Sequence, residues 1–159
     1  MRIDILAVGR LKAGGGEHDL VERYLERARA GGRAVGLTGF EVGEIADAKN
    51  VPNAKGLEAE ALLARMRPGS RRVVLDERGR TMPSARFAEI VGEWRDQGAP
   101  ATAFLIGGPD GHGEAARAGA DLLLSFGAMT WPHQLVRAML AEQLYRAVTI
   151  LTGHPYHRA

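Results

Sequence analysis

A mainly parallel β-sheet flanked by helices is the architecture that the sequence predicts, on three observations. Short apolar runs such as 3–8, 72–76 and 101–106 have the length and composition of strands. Amphipathic stretches separate those runs, and glycine-containing turns follow several of them directly. Strands that alternate with helices along a chain are typical of crossover units, which place successive strands parallel.

Ile3-Asp4-Ile5-Leu6-Ala7-Val8 reads as a buried strand closed by Gly9. In 17–30, Leu20, Val21, Tyr24, Leu25 and Ala28 recur at the spacing of one helix face. Residues 34–42 read as a second strand, weakened by Gly36 and Gly39. The polar, punctuated stretch 44–56 reads as a loop, and a helix from Leu57 to Met66 follows, stopped by Pro68-Gly69. Residues 72–76 form a short strand that enters a turn at Glu77-Arg78-Gly79. Pro83 and Ser84 open a helix through Trp94, with Phe87, Ile90, Val91 and Trp94 on one face. After the strand 101–106, a short alanine-rich helix leads to a last strand, 122–126. The final helix carries Pro132 in its first turn and apolar side chains at Leu135, Val136, Met139, Leu140, Leu144, Val148 and Leu151. No repeat or boundary interrupts this order, so a single domain over 1–159 is expected.

Composition narrows the function. With 45% apolar and 25% charged residues, the 159-residue chain is an ordinary globular sequence. It has no cysteine, which excludes disulfides, thiolate zinc sites and a cysteine nucleophile. No apolar run approaches the roughly 20 residues needed to cross a bilayer. The opening MRIDILAVGR is too short and too strand-like for a signal peptide, so a cytoplasmic protein with no membrane partner is expected. Net charge is only +2, carried mostly by arginine, with Lys12, Lys49 and Lys55 the only lysines. Arginine suits phosphate contacts and base stacking, so the charge permits RNA binding without demonstrating it.

Three predicted strand ends are distinctive, and ligands of open parallel sheets bind beyond such ends. They are Leu75-Asp76-Glu77-Arg78-Gly79, the run Ile106-Gly107-Gly108-Pro109-Asp110-Gly111, and the segment from Ser125 to His133. Glycines there expose backbone N–H and C=O groups to a ligand, although a single glycine loop is more often only a tight turn. The GGPDG run is neither a P-loop nor the dinucleotide fingerprint, which disfavours a triphosphate or NAD. Backbone groups beside Leu75, Ile106, Phe126, Met129 and Trp131 suit an adenosine-like ligand with few anionic groups. His112, His133, His154 and His157 lack metal-ligand spacing and matched carboxylates, so no metal is expected. No nucleophile elbow is present, and Asp76 and Glu77 read as exposed turn carboxylates.

The chain closes on His154-Pro155-Tyr156-His157-Arg158-Ala159 after a helix-ending Gly153. Tyrosine and histidine rings stack on bases and arginine clamps phosphate, but a solvated terminus is an equal reading of these residues.

The segments VVLDERG, FLIGGPDG, the Leu-Ser-x-x-x-Met-Thr-x-Pro-His run at 124–133, LVRAMLAEQLYRA and HPYHR occur in one order over most of 71–158. In that combination the chain resembles the bacterial large-subunit ribosomal RNA methyltransferases of the SPOUT class, which modify N3 of a pseudouridine. The first strand, IDILAVG, also fits, and the intervening half fits only loosely. The resemblance implies a C-terminal trefoil knot over about 71–153, where periodicity alone gives an unknotted doubly wound sheet. It implies S-adenosylmethionine as methyl donor, held by Leu75, Gly107, Gly108, Gly127, Ala128, Met129, Thr130, Trp131 and Pro132. It further implies a homodimer in which the tail 154–159 of one subunit approaches the cofactor of the other. His154, Tyr156, His157 and Arg158 are then the catalytic candidates, contacting RNA and placing the base. The implied substrate is pseudouridine 1915, by bacterial rRNA numbering, in helix 69 of 23S rRNA within the 70S ribosome. Trp131 stands where the family often has leucine, and Gly127 where serine is common.

Methylation at N3 removes an imide proton, so the expected mechanism combines in-line placement with cationic stabilisation of the developing anion. Arg158 or a protonated histidine is the candidate cation, and His157, His154 or water the candidate proton acceptor. A SPOUT enzyme acting on tRNA and a non-enzymatic ribosome-associated RNA-binding protein are the alternatives.

Overall fold

A computed structural model describes residues 1–157. Five strands form one sheet in the order β2-β1-β4-β3-β5. They are β1 (Arg2–Val8), β2 (Thr38–Ile45), β3 (Arg71–Arg80), β4 (Ala101–Ile106) and β5 (Leu122–Leu124). Every described ladder is parallel, as the alternation of elements predicts. The helices are α1 (Gly16–Gly32), α2 (Ala54–Ala64), α3 (Ser84–Asp96), α4 (Glu114–Arg117) and α5 (His133–Thr152).

The two-residue period of a strand divides the core between the two faces of the sheet. Ile3, Ile5 and Ala7 face one way, with Val73, Phe104 and Leu122, into a core closed by α1, α3 and α5. Leu6 and Val8 face the other way, with Val74 and Leu105, onto α2 and α4. The long α5 packs against both α1 and α3, so its buried residues anchor the larger layer.

Several element boundaries differ from the sequence expectation. β2 starts at Thr38 rather than 34 because Arg33–Val35 forms a 3-10 turn that ends at Gly36 with φ +69°. Phe40, at φ +55°, is the extra residue of a bulge against β1, and its ring is fully buried. α2 begins at Ala54, three residues before Leu57, after Asn53 adopts a left-handed backbone. Pro132 precedes the first turn of α5 rather than lying within it.

The ends of β3 and β5 also differ, and they shape the site. Instead of ending at Asp76 and turning, β3 continues to Arg80, and Leu75 and Arg80 both pair with Leu124. Residues 76–79 therefore leave the ladder with β5 and rejoin it, while β5 itself stops at Leu124 instead of Phe126. Gly79 lies so close to β5 that a Cβ there would stand 2.6 Å from the Leu124 carbonyl carbon. Only glycine allows that approach.

Candidate active site

The ends of β3, β4 and β5 converge on a cleft of about 240 Å3. Of the nine residues that the family resemblance assigns to the methyl donor, Leu75, Gly108, Gly127, Met129, Thr130 and Trp131 line it together. The other three lie just outside the lining. Gly107 packs beneath the GGPDG loop, where a Cβ would stand 2.8 Å from the Gly111 carbonyl carbon. Ala128 is exposed beside the cleft, and Pro132 is the residue before α5.

Each wall has a local cause. The GGPDG loop closes on itself through Gly111 N–H donating to the Gly108 carbonyl at 3.0 Å. The turn after β5 is held by Ser125, whose hydroxyl donates to the Gly127 carbonyl at 2.9 Å and accepts its N–H at 3.2 Å. Gly127 itself has φ +129°, a backbone that L side chains rarely adopt. Met129 and Trp131 stay 71% and 38% exposed at the rim, an apolar surface open to the cleft.

The lining carries Asp76, Glu77 and Asp110 and no lysine, arginine or histidine. A triphosphate would meet carboxylates there and no counter-charge, whereas a cationic ligand would meet opposite charge. Asp76 is not the exposed turn carboxylate that the sequence implied: its side chain is 5% exposed and ion-paired to Arg117 at 2.6 Å. Burial alone would raise its pKa, but the hydrogen bonds from Arg117 and the Arg78 N–H, with their charges, hold it below 3.8. Arg117 also donates to the His112 carbonyl at 2.7 Å, tying the end of β3 to the loop after β4. His112 is buried with Nε2 unpartnered, and burial presses its pKa below the usual value.

The tail residues stand elsewhere. Gly153 takes φ +69° and ends α5, as the sequence predicts, with His154 N–H donating to the Thr149 carbonyl. Tyr156 folds back onto α5, its ring 4.6 Å from that of Tyr145 and its hydroxyl donating to Glu142 at 3.1 Å. Burial, then the Glu142 carboxylate, pushes the phenol up to about 12. The guanidinium of Arg146 covers the other part of the ring, 5.0 Å from its centroid. His154 is exposed, His157 is half-buried, and Arg158 lies outside the described residues. The 20 residues of α5, at 1.5 Å each, put roughly 30 Å between its two ends, and Tyr156 reaches back from the far end to Glu142, about midway along the helix.

Sequence reasoning missed Arg137, which is fully buried at the ends of β1 and β2. Its position four and seven residues before Ala141 and Leu144, on the buried face of α5, was the available signal. The Asp76–Arg117 pair joins residues 41 positions apart and left no local signature. Among the described residues, no three of His, Cys, Asp and Glu are grouped to hold a metal ion, and no helix is long and apolar enough to cross a membrane.

The family described as "Predicted SPOUT methyltransferase" matches residues 1–157. The ribosomal RNA large subunit methyltransferase H of Rhodopseudomonas palustris (strain BisA53) is 51% identical over 161 aligned positions, covering 100% of both chains. The protein of that name from Mesorhizobium japonicum is 49% identical with 100% coverage of both chains. Among solved structures, a probable methyltransferase from Bordetella pertussis Tohama I superposes with a TM-score of 0.51 at 13% identity, covering 92% of this chain and 93% of that one. A probable methylase family protein from Haemophilus influenzae Rd KW20 gives 0.52 at 13% identity, covering 99% and 70%. At such identities these two structures speak for the fold alone.

Proposed function

The chain belongs to the SPOUT methyltransferase family, and from that premise we propose that it transfers a methyl group from S-adenosylmethionine to N3 of a pseudouridine in 23S rRNA. The nucleotide is pseudouridine 1915 of helix 69, by bacterial rRNA numbering, and the substrate is the assembled 70S ribosome in the cytoplasm. The observation that carries the reading is the cleft at the ends of β3, β4 and β5, with its glycine backbone, apolar rim and carboxylates.

The residues present fit the proposed donor. When bound, S-adenosylmethionine supplies an electrophilic methyl on a sulfonium centre. Leu75, Phe126, Met129 and Trp131 offer apolar surface to its adenosine, and the backbone of Gly108 and Gly127 offers hydrogen bonds. Glu77 and Asp110 suit its positive charges, and no metal ligand set is required. In this reading Gly107, Ala128, Thr130 and Pro132 shape the loops that carry those contacts, within a single domain knotted over about 71–153.

Within one protomer Tyr156 packs on α5 against Tyr145 and Glu142 and does not line the cleft. In the proposed homodimer the tail of one copy faces the cleft of the other. His154, Tyr156, His157 and Arg158 then hold the RNA from the opposite side, by stacking and by phosphate contact.

The test is methylation of 70S ribosomes by the full chain and by a chain ending at Gly153, with S-adenosylmethionine affinity measured calorimetrically for both. The reading requires binding by both and turnover by the full chain alone. Absence of S-adenosylmethionine binding would favour an RNA-binding protein without catalysis, and methyl transfer to tRNA instead of rRNA would reassign the substrate.

A further inference from the structure

A cluster of ionisable groups lies next to the cofactor cleft and outside it. At its base, the buried Arg137 donates through Nη1 to Glu44 and through Nη2 to the Gly9 carbonyl at 3.0 Å, while its Nε has no partner among the described residues. Glu44 also accepts the Leu11 N–H at 3.0 Å, so the carboxylate braces the chain leaving β1. One helical turn before Arg137, His133 lies over Gly9: a Cβ on that glycine would stand 3.7 Å from His133 Nε2. Asp47 and Lys49 from the loop after β2 and Glu58 from α2 also act on the imidazole.

The cluster and the cleft share a wall. Glu58 is buried, accepts the Ala48 N–H at 2.9 Å, and has its other oxygen 3.4 Å from where a Gly108 Cβ would stand. Gly108 lines the cleft from the other side, and Trp131, two residues before His133, lines it too. His133 thus stands at the cleft end of α5, on the same protomer as the proposed methyl donor, whereas His154 follows the opposite end of that helix.

A buried ion pair is a poor source of net stability, so the Arg137–Glu44 pair invites a functional explanation. Here it ties α5, one turn beyond His133, to Glu44 and to the Gly9 carbonyl. Among the described residues no hydrogen-bond partner engages the imidazole. Burial first, then Arg137, holds its pKa below the usual value; Lys49 acts in the same sense, and Asp47 and Glu58 oppose it. A neutral, half-buried imidazole of this kind accepts a proton near neutral pH.

We propose that this cluster receives the polar edge of the target base and that His133 takes its N3 proton, an inference that rests on the pseudouridine methyltransferase reading. In the step, the N3–H bond breaks and the proton goes to a ring nitrogen of His133. The electron pair left on N3 forms the bond to the methyl carbon. The carbon–sulfur bond breaks with its pair passing to sulfur, leaving S-adenosylhomocysteine and 3-methylpseudouridine. The imidazolium then releases its proton to solvent.

The experiment is single-turnover methylation of 70S ribosomes across pH by wild type, His133→Gln and His133→Ala, with S-adenosylmethionine affinity and thermal melting followed in parallel. At neutral pH the variants are expected to be slower by about 100-fold, the lower end of general-base contributions. Cofactor affinity and melting should be unchanged, and the rise in rate with pH that follows imidazole deprotonation should be lost. Added imidazole should restore part of the His133→Ala rate. Should His133→Gln melt early, His133→Asn is judged in its place. A folded variant that retains the wild-type rate and pH profile overturns the assignment. A wild-type enzyme that places no methyl on N3 overturns the underlying reading instead, and this inference with it.

Discussion

Arg117 and Asp76, 41 positions apart in the chain, meet at 2.6 Å beside the cleft at the strand ends. Because the same guanidinium also donates to the His112 carbonyl, one side chain couples two of the three loops that form the cleft.

Arg117→Met should therefore destabilise the fold by about 2 kcal/mol, the scale of a hydrogen bond to a charged group, and weaken S-adenosylmethionine binding. It should also reverse the shift at Asp76, because burial, the largest influence on that carboxyl, is then less opposed. In the wild type the lowered pKa gives a stabilising contribution that is present above 3.8 and lost as pH falls below it. NMR titration of the Asp76 carboxyl, with urea unfolding at several pH values, reads both effects.

Gly79→Ala should be among the most damaging small substitutions. A methyl group there meets the β5 backbone at 2.6 Å, a contact that no side-chain rotation relieves. Overpacking of this kind costs about 1–3 kcal/mol. The expected result is a lower urea midpoint with loss of cofactor affinity, since β5 leads directly into the Ser125–Gly127 turn.

Trp131 should report on the cofactor. It lines the cleft at 38% exposure, while Trp94, the other tryptophan, packs against the core. Titration with S-adenosylmethionine is expected to change the fluorescence, and Trp131→Phe should remove that change while leaving the Trp94 emission. A signal that survives in Trp131→Phe would place the ligand elsewhere.

Tyr156 should titrate at about 12, with Glu142→Gln bringing it back toward 10.0. The raised pKa means that the packing of the tail on α5 is fully supported below 10.0 and is lost as pH rises through about 12. A spectrophotometric titration of the phenol in wild type and Glu142→Gln measures this directly. An unchanged midpoint in the variant would mean that the hydroxyl does not donate to Glu142.

Much of this site was legible because it is built from strand ends. Leu75, Gly108 and Gly127 each follow or close an apolar run, and the rule that ligands bind beyond such ends brings them together without knowledge of strand order. Strand limits were harder, because Gly36 and Phe40 depend on backbone sign and on contacts with β1 that no periodicity encodes. Asp76 looked exposed since its partner lies in α4, and Arg137 looked like an ordinary helix arginine until Glu44 and Gly9 were placed around it. His133 likewise gains meaning only from residues of β1, β2 and α2 that surround it.

The most direct test of the central claim is nucleotide mapping. Ribosomes lacking the modification are incubated with the protein and isotopically labelled S-adenosylmethionine, as 70S particles and as separate subunits, and the 23S rRNA is digested for mass spectrometry. The account predicts labelled 3-methylpseudouridine in the helix 69 fragment of the 70S sample and little in the free subunits. Label on another nucleotide, or none in the presence of bound cofactor, would contradict it.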